Sequence, residues 1–181
     1  NSPITGMAAL GESVVIFKGD SIWTMVAAGE NQATGVDNFI PIRVVAGVGC
    51  VSNASIQRVK GALIFLAEDG IYRFDGTPNI IKLSDRIGDT VRSINPSRRH
   101  VAASANWKTQ GCYLLSVAVD GSFDNNRTIV YDYKNNAFWI WDVAAKFWLA
   151  DEDAYDNLRL YFINQHSQVF EFGVGNNDHG A

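Results

Sequence analysis

One short apolar pattern returns along this chain at a constant interval. Val15-Ile16-Phe17, Ile64-Phe65-Leu66, Tyr113-Leu114-Leu115 and Phe162-Ile163-Asn164 start 49 residues apart (64−15, 113−64 and 162−113). An aromatic echo follows in three copies, as Ile22-Trp23-Thr24-Met25, Ile71-Tyr72-Arg73-Phe74 and Val169-Phe170-Glu171-Phe172. The remaining copy answers after a longer turn, with Ile129-Val130-Tyr131-Asp132-Tyr133. A fixed period of about 40–50 strand-rich residues is the size of one β-propeller blade. A unit of that kind buries its faces only by stacking on its neighbours.

The spacing therefore predicts one all-β domain over residues 1–181, a propeller-like array of about four four-stranded antiparallel blades. The blades fall at 4–46, 55–83, 100–142 and 146–173, with a short helix at 85–95 between the second and third. The second copy is the clearest. Ser55–Val59 and Ala62–Ala67 flank Lys60-Gly61, Asp69-Gly70 leads into Ile71–Phe74, and Asp75-Gly76 precedes Asn79–Leu83. Asp-Gly is a strong hairpin signal because both residues tolerate positive φ. In the first copy a longer loop is expected at Gly29–Asn38. In the third, strands are expected from His100 to Trp107, then at Cys112–Val119, Arg127–Tyr133 and Phe138–Asp142. The fourth shows Lys146–Ala150, Leu158–Ile163 and Val169–Gly173. The helix would be capped by Ser84 or Asp85, would bury Ile87, Val91 and Ile94, and would end at Asn95-Pro96. An incomplete set of blades leaves sheet faces open, so the chain is expected to be part of a larger propeller, or one of two pieces that close a ring.

Charge and cysteine usage narrow the function classes. Fifteen Lys and Arg stand against 19 acids, and each half carries −2 (7−9 for residues 1–90, 8−10 for 91–181). Neither half has the basic surplus of a dedicated nucleic-acid surface. No apolar run approaches the roughly 18–20 residues of a membrane helix. Cys50 and Cys112 have apolar neighbours and no CxxC spacing, which reads as buried free thiols, although spacing alone does not exclude a disulfide.

The residues that could carry chemistry are scattered. His100, His166 and His179 stand apart, so no metal set is expected. Asp151-Glu152-Asp153 with Asp156 could supply a glycosidase pair, but a solvated turn explains the cluster better. Asp120–Asn126 places oxygen donors at alternate positions, yet the sixth place is Asn125 rather than Gly and the twelfth is Tyr131 rather than Glu, so a hairpin turn is expected instead of a calcium loop. Asn53-Ala54-Ser55 and Asn126-Arg127-Thr128 match the glycosylation acceptor pattern, which carries little weight by itself. No catalytic, cofactor or metal residue is assigned, and the reading is not an enzyme. Arg92, Arg98, Arg99 and Lys108 form the basic grouping, better read as a solvated face than as a phosphate or acidic-partner contact. Phe138, Trp139, Trp141, Phe147 and Trp148 lie within eleven residues (138 to 148). Such aromatics belong between blades or, where exposed, at an interface or a sugar-stacking site. Trp139, Trp141, Phe147, Trp148, Arg98 and Arg99 are accordingly the candidate interface residues.

Several stretches, taken in order, resemble the tail β-propeller proteins of tailed bacteriophages. They are Ile4–Met7 with Val14–Lys18 and Ser21–Trp23, then Gly47–Ser52 leading into Ser55-Ile56. Leu63–Gly76 is the closest stretch, followed by Ile81–Ile87, Val130–Asp132 with Phe138–Asp142, and Asn177–Gly180. The resemblance spans nearly the whole chain and implies a nozzle, hub or head-to-tail connector component located in the virion tail. Its partners would be copies of itself in a ring and neighbouring tail or portal proteins, with non-specific proximity to DNA. It brings no catalytic residues and no cofactor, and it implies that such a chain continues past Gly180 into further strands. A mildly acidic surface suits a DNA conduit, because weak repulsion keeps DNA from adhering. The alternative is a non-catalytic binding module, a lectin or protein-interaction scaffold with one ligand per blade. That reading needs the same residue at the same place in each repeat, whereas Lys18, Ala67, Ser116 and Gln165 all differ.

Overall fold

Short strands with alternating side chains, joined by tight turns, dictate antiparallel meanders. The computed structural model describes residues 2–31, 36–152 and 158–173, and these build four antiparallel sheets of three or four strands. Sheet I contains β1 (Ile4–Leu10), β2 (Ser13–Lys18), β3 (Ser21–Asn31) and β4 (Val36–Ala46). Sheet II contains β5 (Gln57–Val59), β6 (Ala62–Leu66), β7 (Ile71–Phe74) and β8 (Ile81–Lys82). Sheet III contains β9 (Ala103–Trp107), β10 (Cys112–Val117), β11 (Arg127–Asp132) and β12 (Ala137–Trp141). Sheet IV contains β13 (Phe147–Glu152), β14 (Leu158–Ile163) and β15 (Val169–Phe172). In every sheet the strands lie in chain order.

Local sequence explains most turns. Val59 pairs with Ala62 across Lys60 (φ 46°) and Gly61 (φ 75°), the two positive angles of a type I′ turn. The Asp69-Gly70 hairpin exists, but not by that mechanism. Leu66 pairs with Ile71 over a four-residue loop in which the Ala67 N–H donates to the Gly70 carbonyl at 2.8 Å. Neither Asp69 nor Gly70 is at positive φ. Gly70 is required by proximity, since a Cβ there would collide with the Ser84 hydroxyl and the Lys82 side chain.

Several boundary expectations need correction, beginning with sheet II. There Asn53–Ser55 is a 3-10 turn, so that β5 starts at Gln57 rather than Ser55, and β8 is only Ile81–Lys82 rather than Asn79–Leu83. Of the loop assigned to Gly29–Asn38, residues 32–35 lie outside the described residues and the flanks are ladder, with Glu30 opposite Asp37 and Asn31 opposite Val36. The hairpin β3–β4 thus forms an arm that exposes Val26, Phe39, Ile40 and Ile42. The helical segment is a 3-10 turn at Ser84–Ile87 followed by α1 (Gly88–Ser93), and neither Ser84 nor Asp85 caps it. Ser84 is buried instead, and its hydroxyl accepts from the Ile71 N–H at 3.0 Å. A further 3-10 turn at Pro96–Val101 occupies the start of the strand expected from His100, with Asn95 as its cap. Val91 and Ile94 are buried as expected, whereas Ile87 is partly buried against the same core.

Side-chain parity shows how the sheets stack. On β6, Leu63 and Phe65 pack with Val15, Phe17 and Ile22 of sheet I. The alternate residues Ile64 and Leu66 pack with Tyr113, Leu115 and Ile129 of sheet III. On β10, Cys112 and Leu114 then pack with Leu160 of sheet IV. The central sheets are buried on both faces, which explains their unbroken apolar runs. The 49-residue interval conceals one slip. Val15 and Ile64 face the following sheet, but Tyr113 faces the preceding one. The second strand of sheet III starts 50 residues after that of sheet II (112−62) rather than 49 (62−13). A one-residue change in strand position reverses every side chain.

Polar seams fix the sheets along their first strands. Gln57 Nε2 donates to the Ser104 carbonyl (3.0 Å), Asn106 Nδ2 to the Arg58 carbonyl (2.8 Å) and the buried Tyr113 hydroxyl to the Ser55 carbonyl (2.7 Å). The backbones of successive sheets approach most closely there, β5 lying beside β9 and β9 beside β13. In the two central sheets the last strands expose apolar residues, Ile81 on β8 and Trp139 on β12, while in the end sheets the first strands expose them too, at Ile4 and Met7 on β1 and at Phe147 and Leu149 on β13. Sheets II, III and IV thus approach along their first strands, whereas sheet I meets sheet II through β1 against β6 and the turn at Asn53–Ser55.

Between sheets III and IV the hub is Ser116, wholly buried, whose Oγ accepts from the Ala145 N–H and from Trp148 Nε1, each at 3.0 Å. Its third contact is Thr128 Oγ1 at 2.8 Å. Ser116→Ala would strand both donors. Each buried unsatisfied group costs about 1–3 kcal/mol, so urea unfolding is expected to report a loss of about 2–4 kcal/mol. A loss below about 0.5 kcal/mol, the usual range for a surface change, would show that the hub is unimportant.

Candidate functional site

The residues singled out as an interface separate into three groups. Trp141 and Trp148 are partly buried and pack against the core between sheets III and IV. Their rings lie 5.6 and 5.5 Å from Phe172, and Trp107 approaches the same ring at 5.2 Å. This cluster joins sheet III to sheet IV. Trp139 and Phe147 are exposed, but on different surfaces. Trp139 pairs with Val130 on the side of sheet III that faces sheet IV, whereas Phe147 points away from sheet III. Arg98 and Arg99 are held elsewhere. Arg98 Nε donates to the Phe123 carbonyl (2.6 Å) with its guanidinium over that ring, and Arg99 lies 3.9 Å from Glu68.

The other sequence candidates have structural duties. Asn125 Nδ2 donates to the Val101 and Ala145 carbonyls, and Asn126 Oδ1 accepts from the Val119 N–H, so the Asp120–Asn126 loop spends its amides on the fold. Asp151 lies opposite Arg159 on sheet IV, while Asp153, Asp156, His179 and residues 176–181 lie outside the described residues. His166 sits in an exposed turn organised by Asn164 Oδ1. Cys50 and Cys112 are free and buried, and burial pushes both thiols up. Among the described residues no group of His, Cys, Asp and Glu could hold a metal ion, and no helix is long and apolar enough to cross a membrane.

Two open sheet faces, expected from the sequence only in general terms, are more informative. On sheet IV, the rows Phe147–Ile163–Val169 and Leu149–Tyr161–Glu171 run across the strands on the face turned away from sheet III. Phe147 is 57%, Leu149 62% and Val169 66% exposed, values far from those of a core face. On sheet I, the row Met7–Ile16–Trp23–Arg43 crosses all four strands on the face turned away from sheet II. Lys18 and Arg43 cover the Trp23 ring at 5.3 and 6.0 Å. The signal for both faces lay in the sequence. The first and last sheets carry apolar residues at both parities, which an end sheet facing water does not need. A third surface feature is a groove of about 510 Å³ where β5, β9 and β13 meet, lined by Gln57, Arg58, Ser104, Asn106 and Trp148 among others.

One titrating cluster is well defined. The Tyr72 hydroxyl donates to Asp69 Oδ2 (2.9 Å), which also accepts from Lys82 Nζ (2.8 Å). Burial raises the Tyr72 phenol to about 12, helped by the bond to Asp69 and its charge. Burial also pushes the enclosed Tyr113 phenol well above its ordinary value. The folded state thus favours the neutral phenols. Their contribution is complete below pH ~10, the unfolded value, and is lost as pH rises through the folded values. A phenolate absorbance titration should show these two rings silent near pH 10 and released together with unfolding. Full ionisation of all tyrosines near pH 10 in a folded protein would contradict this placement.

No protein-family model matches this chain, and no curated protein matches it.

Proposed function

We propose that this chain is a non-catalytic structural component of a β-propeller in a bacteriophage tail, acting through assembly rather than turnover. The observation that carries the propeller part is the stacking order: four consecutive antiparallel meanders, with β5, β9 and β13 side by side and β1 against β6 and the Asn53–Ser55 turn. That arrangement is what radial blades around an axis require. The tail assignment rests on the ordered resemblance of Leu63–Gly76, Ile81–Ile87 and Phe138–Asp142 to tail propellers, and the open apolar faces of sheets I and IV support an assembling role. In this reading the first strands line a conduit, and the chain's overall net charge of −4 gives passing DNA no strong hold. Neighbouring tail or portal proteins are the outer partners. Immunogold labelling of tailed phage particles with antibody to this chain tests the assignment. Gold at the tail is the expected result, and particles unlabelled while antigen remains free in the lysate would overturn it.

A further inference from the structure

We draw no further inference here: the strongest candidate, the groove where β5, β9 and β13 meet, spends its Gln57 and Asn106 amides on the seams between sheets, and nothing in the structure shows what charge its rim carries between Ala150 and Leu158, where residues 153–157 lie outside the described residues.

Discussion

Phe65→Ala is expected to cost the protein about 3–5 kcal/mol, close to the whole stability margin of a small domain. Phe65 is wholly buried at the middle of β6, with its ring centroid 4.8 Å from that of Phe17 and 6.3 Å from that of Tyr72. With Leu63, Tyr72 and Phe74 it forms the side of sheet II that meets sheet I. Removing it leaves a cavity between two sheets whose backbones are fixed by their own ladders, so neither collapses to fill it. The neighbouring Ile64 points to sheet III, and Ile64→Val deletes only one methyl group, at an expected cost of about 0.5–1.5 kcal/mol. Urea unfolding with unchanged slope measures both. A Phe65→Ala loss under about 1.5 kcal/mol, no more than the control, would mean that sheets I and II are not packed as described.

Gly49→Ala is expected to be equally severe for a different reason. Gly49 lies beneath the β2–β3 turn, in a segment tied to it by Cys50 N–H donating to the Lys18 carbonyl (2.9 Å) and Gly47 N–H donating to the Asp20 carbonyl (2.8 Å). A Cβ on Gly49 would overlap the Lys18 carbonyl oxygen and the backbone of Gly19 and Asp20. Those are main-chain atoms, so no rotamer relieves the clash. Overpacking typically costs about 1–3 kcal/mol, and loss of the two backbone bonds adds to it. We therefore expect a loss of about 3 kcal/mol or more in thermal or urea unfolding. Hydrogen exchange should speed at Gly47 and Cys50 before it does in β10. A neutral Gly49→Ala would contradict the close approach of the linker to sheet I.

How much of this was legible in the sequence depends on what each residue reports. Strand interiors were readable because apolar side chains recur at fixed spacing: Ile4–Leu10, Ile71–Phe74 and Leu158–Ile163 form over the residues expected. The reversal of Tyr113 was not. Fully apolar strands such as Ala62–Leu66 lack the polar alternation that tells one face from the other, so the repeat hides a one-residue slip. Ser84 and Asn95 were read as local helix signals, but only Asn95 caps, and Ser84 serves a distant strand. Nothing local marks a hydroxyl that will be buried. Among the aromatic residues, composition could not separate Trp148, whose indole N–H is bound by Ser116, from the exposed Trp139. That distinction depends on which sheet lies opposite, a property of the stack and not of the segment.

The central claim is that the sheets radiate from their first strands around an axis. Negative-stain class averages of the purified 181-residue protein, sorted by native mass, test it most directly. The account predicts blades that diverge from one shared inner edge formed by β1, β5, β9 and β13. A filled block of parallel layers, in every view and at every mass, would contradict it.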